Sequence, residues 1–246
     1  MASSGSSQHQ IDRVRILHWN IHSWLDDGEQ SNVESVIEVI RETGPDVVSL
    51  VEVDESWGAL DRLSEVAARH GYLPIFVPTF EFGRDVPEGG FGNALLTRLP
   101  VLAVQQWQLV WPIPQYDGSE PSEPRSVLLA KLDIGGGSVW VGSTHLPRSD
   151  EQVRTDAFQR LAALVAKLDG PWFVCGDFNT PPPPWLTGDR PLAVSPNPVQ
   201  PTHPAHEPVE PIDYCIAAGD VRTEASVFAR GGSDHLPVLV SAWLTR

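Results

Sequence analysis

GPWFVCGDFN, residues 170–179, is the stretch on which the fold turns. Gly170-Pro171 closes a preceding helix, Trp172–Cys175 is a short apolar run of buried-strand type, and Asp177 and Asn179 stand at its exit. GPDVVSLVE, residues 44–52, repeats the pattern: Gly44-Pro45, a buried strand over 46–51, then Glu52. Two equivalent strand ends that each present a carboxylate point to one shared site at the mouth of a sandwich, because catalytic groups usually sit on loops held by a rigid scaffold.

Working outward, RVRILHW (13–19) reads as the first strand. Val33, Val36, Ile37 and Ile40 recur at helical spacing after a cap at Ser31. A second helix is expected over 57–70, with Leu60, Leu63 and Ala67 on one face, and a third over 150–168, with Val153, Phe158, Leu161, Leu164, Val165 and Leu168 inward. Strands are expected near 72–77, 92–97, 101–109, 126–134, 138–143, 212–217, 222–228 and 237–243, with Gly135-Gly136-Gly137 as a hairpin turn. Hairpins mixed with helix-to-strand units make the class α+β. Residues 1–10 are small and polar and lack the basic and apolar regions of a signal peptide, so they read as a disordered segment or tag remnant before a single domain over 11–246, and the expected location is the cytoplasm.

Composition narrows the function. With 246 residues, 41% hydrophobic and 20% charged, the chain is an ordinary globular one rather than disordered, collagenous or coiled-coil. No apolar run approaches the ~20 residues that a membrane-spanning helix needs. Two cysteines, Cys175 and Cys215, sit in apolar runs and read as reduced buried thiols. The net charge is −15, only two lysines are present and no basic stripe appears, which disfavours tight duplex binding. A small phosphate-bearing substrate stays compatible, because a bound divalent metal reverses the local sign.

The conspicuous polar residues all open or follow apolar runs: Asn20, Glu52, His145, Asp177, Asn179, Asp213, Asp234 and His235. One aspartate at a strand end is commonly a turn former; this many together, of types rarely buried without partners, are harder to dismiss. Carboxylate and amide oxygens select Mg2+ or Mn2+, and no His-x-x-x-His or Cys-x-x-Cys pair points to zinc. Glu52 fits the one or two carboxylates that Mg2+ requires, and a histidine backed by a carboxylate can exchange protons or bond a phosphoryl oxygen.

WNIH, LVEVDE, GNALLTRLP, STHL, CGDFN, PIDY and SDHLPV, in that order from residue 13 to 243, resemble the motifs of the endonuclease/exonuclease/phosphatase superfamily, and within it the compact bacterial metal-dependent hydrolases. The resemblance implies a DNase-I-like four-layer α/β/β/α sandwich. It implies Glu52 as main metal ligand with Asn20 and Asp234 in reach, Asp177 activating water, and Asn179 positioning that water or a phosphate oxygen. His235, held by Asp213, would contact the scissile phosphate, His145 would serve the phosphate or leaving group, and Arg125 would face the phosphate. Two positions depart from the family: His22 replaces an aspartate that some nucleases carry, and Pro211 stands where a basic residue is common. His22 is expected to play a hydrogen-bonding rather than catalytic role.

The expected function is thus a Mg2+- or Mn2+-dependent phosphoric ester hydrolase, foremost a phosphodiesterase, monomeric and acting on a small molecule or short nucleic acid. Nuclease, sphingomyelinase-like and sugar or inositol phosphatase activities are the alternatives, and a non-catalytic binding domain is the rival from another class. His18 and His70 are expected to be structural. Trp19, Trp140, Trp172 and Trp243 are expected in the core, while Trp24, Trp57, Trp107, Trp111 and Trp185 are candidates for a cleft rim. Glu34, Glu38 and Glu42 read as a solvated helix face.

Overall fold

A computed structural model describes residues 13–55, 62–80, 90–110, 124–148, 150–187, 192–218 and 221–244. In chain order the elements are β1 (Arg13–Asn20), α1 (Val33–Thr43), β2 (Val47–Asp54), α2 (Arg62–His70), β3 (Leu73–Phe80) and β4 (Phe91–Thr97). They continue with β5 (Val101–Val110), β6 (Arg125–Asp133), β7 (Ser138–His145), α3 (Glu151–Val165) and β8 (Trp172–Asp177). The chain closes with β9 (Ala193–Ser195), β10 (Asp213–Ala218), β11 (Val221–Val227) and β12 (Val238–Leu244).

The strands form two six-stranded sheets, ordered β11-β12-β1-β2-β4-β3 and β5-β6-β7-β8-β10-β9. Alternation along each strand sends neighbouring side chains to opposite faces. In β1, Ile16 enters the layer between the sheets while Leu17 faces the helices. Val14, Ile16, Val47 and Leu95 of one sheet meet Leu128, Ala130, Val141 and Phe173 of the other. On the outside, Val36, Ile37 and Ile40 of α1 and Leu63, Val66 and Ala67 of α2 cover Leu17, Trp19, Val48, Leu50 and Leu96. Phe158, Leu161 and Val165 of α3 cover Leu129, Trp140, Trp172 and Val174. The result is the expected α/β/β/α sandwich. Because both faces of each sheet are covered, the inner strands read as nearly continuous apolar runs.

Each sheet holds one parallel pair: β1 with β2, joined through α1, and β7 with β8, joined through α3. Parallel pairing brings like strand ends together. Asn20 lies opposite Val51, next to Glu52, and His145 lies opposite Asp177. Ser143 Oγ donates to the Leu50 carbonyl at 3.0 Å and ties β7 to β2 across the sandwich at this end.

Several expectations shift. Asn32, not Ser31, precedes α1, and its amide donates to the Ile21 and Leu25 carbonyls at 3.0 and 2.8 Å; Ser31 bridges to Leu25 instead. The start expected for the second helix lies outside the described residues. The third begins after Asp150, whose side chain accepts the Val153 N–H at 2.9 Å, and ends at Val165, three residues early. Trp24 is fully buried against the α1 layer rather than on a rim. Trp243 is only half-buried, with the Arg222 guanidinium 5.1 Å from its ring centre. Trp19, Trp140 and Trp172 are in the core; Trp107 is exposed, and Trp57 and Trp111 lie outside the described residues. Cys175 and Cys215 are buried, free and opposite one another in the β8–β10 pair. Among the described residues no helix is long and apolar enough to cross a membrane.

Gly176 is required by close approach. A Cβ there would meet the Thr144 carbonyl oxygen of β7 at 2.5 Å and its side chain at 2.7 Å. Gly176→Ala is expected to push apart the two strands that carry His145 and Asp177, at about 1–3 kcal/mol as for other overpacked cores. Urea unfolding measures it; a midpoint equal to wild type would contradict the close approach.

Candidate active site

Strand ends and loops of both sheets converge on Asp177, at the end of β8. Its carboxylate is 1% exposed. Oδ2 accepts from Asn20 Nδ2 at 3.1 Å, and Oδ1 accepts the backbone N–H of Asn179 at 2.9 Å. His145 Nε2 lies 3.5 Å and His235 Nε2 3.7 Å from Oδ2. Asn20, at the end of β1, also donates from Nδ2 to Glu52 Oε1 at 3.0 Å, so one amide spans the carboxylates of the two sheets.

Two of these residues are aimed by unusual backbone. Glu52 has φ +55° and sits where the β2–β4 register shifts between Leu50 and Val53, and Asn179 has φ +52°. Left-handed conformations are uncommon outside glycine, and bulges redirect side chains at site edges. In the sequence Glu52 reads as a strand exit; here β2 runs on to Asp54, and the bulge rather than the strand end turns Glu52 toward the site.

Asp213 opens β10 opposite Asp177. Its Oδ2 accepts from His235 Nδ1 at 2.8 Å and from Thr202 Oγ1 at 2.6 Å, and its Oδ1 lies 3.4 Å from His18 Nε2. The His235 segment is pinned to β1: Trp19 Nε1 donates to the His235 carbonyl at 2.8 Å, and Ser233 Oγ donates to the Asn20 carbonyl at 2.7 Å. Burial opposes charge on His235, but the Asp213 carboxylate, with Asp177 and Asp234 beyond it, outweighs this and pushes the imidazole up to about 10. Asp213 also pays for burial, yet the charge of His235 and the hydrogen bonds of His18 and His235 hold it well below the carboxylate range. Asp177 is pushed up to about 7, first by burial and then by the charge of Asp213. Two carboxylates facing one imidazole are thereby driven apart in acidity, the arrangement that separates a base from a charge-bearing support.

His145 is 6% exposed. Arg125, at the start of β6, reaches its Nδ1 at 3.3 Å. His145 Nε2, on the other side of the ring, faces Asp177. Burial, then the charges of Arg125 and His235, hold His145 well below its usual range. Asn179 Nδ2 lies 3.0 Å from His145 Nε2 and donates to the Leu146 carbonyl at 2.9 Å.

Asp234 stands beyond His235. Its Oδ1 accepts from Ser233 Oγ at 3.1 Å and lies 3.8 Å from His22 Nδ1, and its Oδ2 lies 3.9 Å from His203 Nε2. The His22 N–H donates to Asn20 Oδ1 at 3.1 Å. Residues 202–210, a proline-rich loop between β9 and β10, bring Thr202 and His203 into this cluster; the polar pair in PTHPAH is the available sequence signal. His18 is structural and buried, and it reaches the site through Asp213. Trp185 is exposed and lines, with Arg154, Phe158 and Thr180, a cavity of about 330 Å³ beside the segment that follows Asn179.

The carboxylate oxygens of Glu52 and Asp177 face one point, bridged by Asn20 Nδ2, and are donors that suit a hard cation; the Asn20 oxygen is turned to the His22 N–H. Metal-competent atoms of Asp177, Asp213 and His235 fall within 4.8 Å of one another, and so do those of His203, Asp234 and His235.

The family model described as the endonuclease/exonuclease/phosphatase family matches residues 18–235. A structure of that family from Beutenbergia cavernae is 25% identical, with a TM-score of 0.68 over 95% of this chain and 72% of that one. One from Bacteroides vulgatus is 19% identical, with a TM-score of 0.75 over 95% and 99% of the two chains. A mannosyl-6-phosphatase from Bacteroides thetaiotaomicron is 14% identical, with a TM-score of 0.74 over 93% and 99%. No curated protein matches the sequence. The matched span runs from His18, behind Asp213, to His235 in front of it, and so takes in every residue of the cluster: the chain belongs to the endonuclease/exonuclease/phosphatase family.

Proposed function

We propose that the protein is a Mg2+- or Mn2+-dependent hydrolase of phosphate esters, foremost a phosphodiesterase, that works by in-line attack of water on phosphorus. The observation that carries this reading is the pairing of a poised buried carboxylate, Asp177, with a cationic His235 whose Nε2 stands 3.7 Å away. Glu52, with Asn20 and Asp234, would hold the metal. When bound, the divalent ion stabilises negative charge that develops on phosphoryl and leaving oxygens. Asp177 takes the proton of the attacking water while Asn179 orients that water or a phosphate oxygen. His235, kept charged by Asp213, donates to a phosphoryl oxygen. His145, neutral and backed by Arg125, serves the phosphate or leaving group. Turnover of bis-p-nitrophenyl phosphate that depends on added Mg2+ or Mn2+ tests the reading; none with either ion would favour the binding-domain rival. A panel of plasmid, oligonucleotide, sphingomyelin and sugar phosphates then separates diester from monoester substrates.

The charge pattern supports a small or short substrate. Arg41, Arg69, Arg222 and Arg230 are each paired with a glutamate and Lys131 with Asp169, so they offer little to a polyanion. These pairs also take up Glu34, Glu38 and Glu42, the face read from sequence as simply solvated. With Ca2+ in place of Mg2+ to allow binding without turnover, duplex DNA should bind with a dissociation constant on the order of 10⁻⁴ M at physiological salt, the weak non-specific end. Fluorescence anisotropy across a salt series measures it. Sub-micromolar binding with a slope for five or more phosphates, about −0.9 per phosphate, would move the substrate to DNA.

A further inference from the structure

We propose that His203, Asp234 and His235 form a second metal site, selective for a transition ion such as Zn2+, beside the oxygen-donor site at Glu52. Two imidazole nitrogens and one carboxylate suit zinc, whereas carboxylate and amide oxygens suit Mg2+. Three protein ligands with an open position are also the usual set of a reactive or exchangeable zinc site.

Each ligand is already oriented by a partner on its far side. His203 Nδ1 meets Glu210 Oε2 at 2.6 Å, so Nδ1 carries the proton and Nε2 the lone pair. His235 Nδ1 is engaged by Asp213, and Nε2, 3.7 Å from Asp177 Oδ2, would bind Zn2+ with release of its proton to solvent. Asp234 Oδ1 accepts from Ser233, which leaves Oδ2 toward His203. Such outer hydrogen bonds on every ligand are what metal sites use to fix donors.

The inner atoms do not bond to one another. His203 Nε2 and Asp234 Oδ2 are 3.9 Å apart and the two imidazole centres 4.6 Å apart. Ligands on a tetrahedral zinc lie about 3.3 Å apart, given bond lengths near 2.0–2.1 Å, so small side-chain rotations close the set. The backbone is held for this: Leu236 donates to the Thr202 carbonyl at 2.9 Å, Ala205 to the Asp234 carbonyl at 2.6 Å, and Glu210 to the His203 carbonyl at 2.8 Å. The ligands stand 31 residues apart in the chain, which is why no zinc spacing is legible in the sequence.

One consequence rests on the function proposed above. A metal on His235 Nε2 occupies the nitrogen that would otherwise face the phosphate, so Zn2+ inhibits while Mg2+ supports turnover.

The test is calorimetric titration of metal-free protein with ZnCl2, with circular dichroism to confirm folding. On a Glu52→Gln background one Zn2+ is expected to bind. Adding His203→Ala should weaken it at least about 10-fold, and adding Glu210→Gln about 10-fold, the low end for losing an orienting partner. Zn2+ bound equally tightly after His203→Ala, or no binding once Glu52 is replaced, overturns the site; Glu210→Gln decides it if His203→Ala fails to fold. In turnover assays at saturating Mg2+, Glu210→Gln should shift Zn2+ inhibition to higher concentration by the factor seen in binding. Binding that follows His203 without inhibition supports the site and overturns the phosphate role of His235.

Discussion

Asp177→Asn should lower kcat/KM for a phosphodiester by on the order of 10²–10⁴-fold at saturating Mg2+, the range of a general acid–base group. The change is isosteric, and the backbone N–H of Asn179 can still find an acceptor in the new amide, so circular dichroism and urea midpoint should stay close to wild type. His235→Ala should cost a similar factor. The double change of Asp213 and His235 to alanine should cost little more than His235→Ala alone, because the pair acts as one unit. Additive losses would show that Asp213 serves His18 and Thr202 rather than His235. The same group sets the pH response. In the proposed mechanism Asp177 works ionised, and in the metal-free protein burial and Asp213 push it up to about 7. Activity should therefore rise with pH through the approach to 7 and level above it. Added Mg2+ favours the ionised carboxylate and should move this limb to lower pH. His235 stays protonated until about 10, so the alkaline fall should come late. A falling profile between pH 6 and 8 would contradict both assignments.

Glu52→Gln should raise the Mg2+ concentration for half-maximal activity by on the order of 10²-fold or more, since Mg2+ is held by only one or two carboxylates plus water and substrate. The amide keeps the shape, and its oxygen can still accept from Asn20 Nδ2, so stability should change little. A titration of rate against Mg2+ measures it; an unchanged midpoint would remove Glu52 from the metal site.

The sequence carried the sandwich because its strands are covered on both faces, and long apolar runs ending in acids survive as a one-dimensional signal. Asp177 and Asn179 were legible for that reason, as was the Asp213–His235 pair once the motifs were set in order. Glu52 was legible as a residue but not as a bulge, since a register shift depends on β4, more than 35 residues away. Trp24 was misread because the left-handed run His22–Trp24 turns its ring inward, and no periodicity records a turn of that kind. β9 is three residues long and sits in a proline-rich stretch, too short for any alternation to show. His203 reaches the site only because the loop folds back on Glu210 and against Asp234.

The position of β1 has a consequence for synthesis on the ribosome. β1 lies between β2 and β12, and Arg13 pairs with Trp243. Until β12 emerges, one edge of β1 therefore stays open, with its apolar face waiting for a partner. Contacts this distant along the chain form slowly. Asp234 and His235 arrive just ahead of β12, so a nascent chain can assemble the Asn20–Glu52 and His145–Asp177 corners but lacks the imidazole that completes them. A chain stalled before β12 docks therefore lacks the complete cluster and is a candidate for chaperone capture.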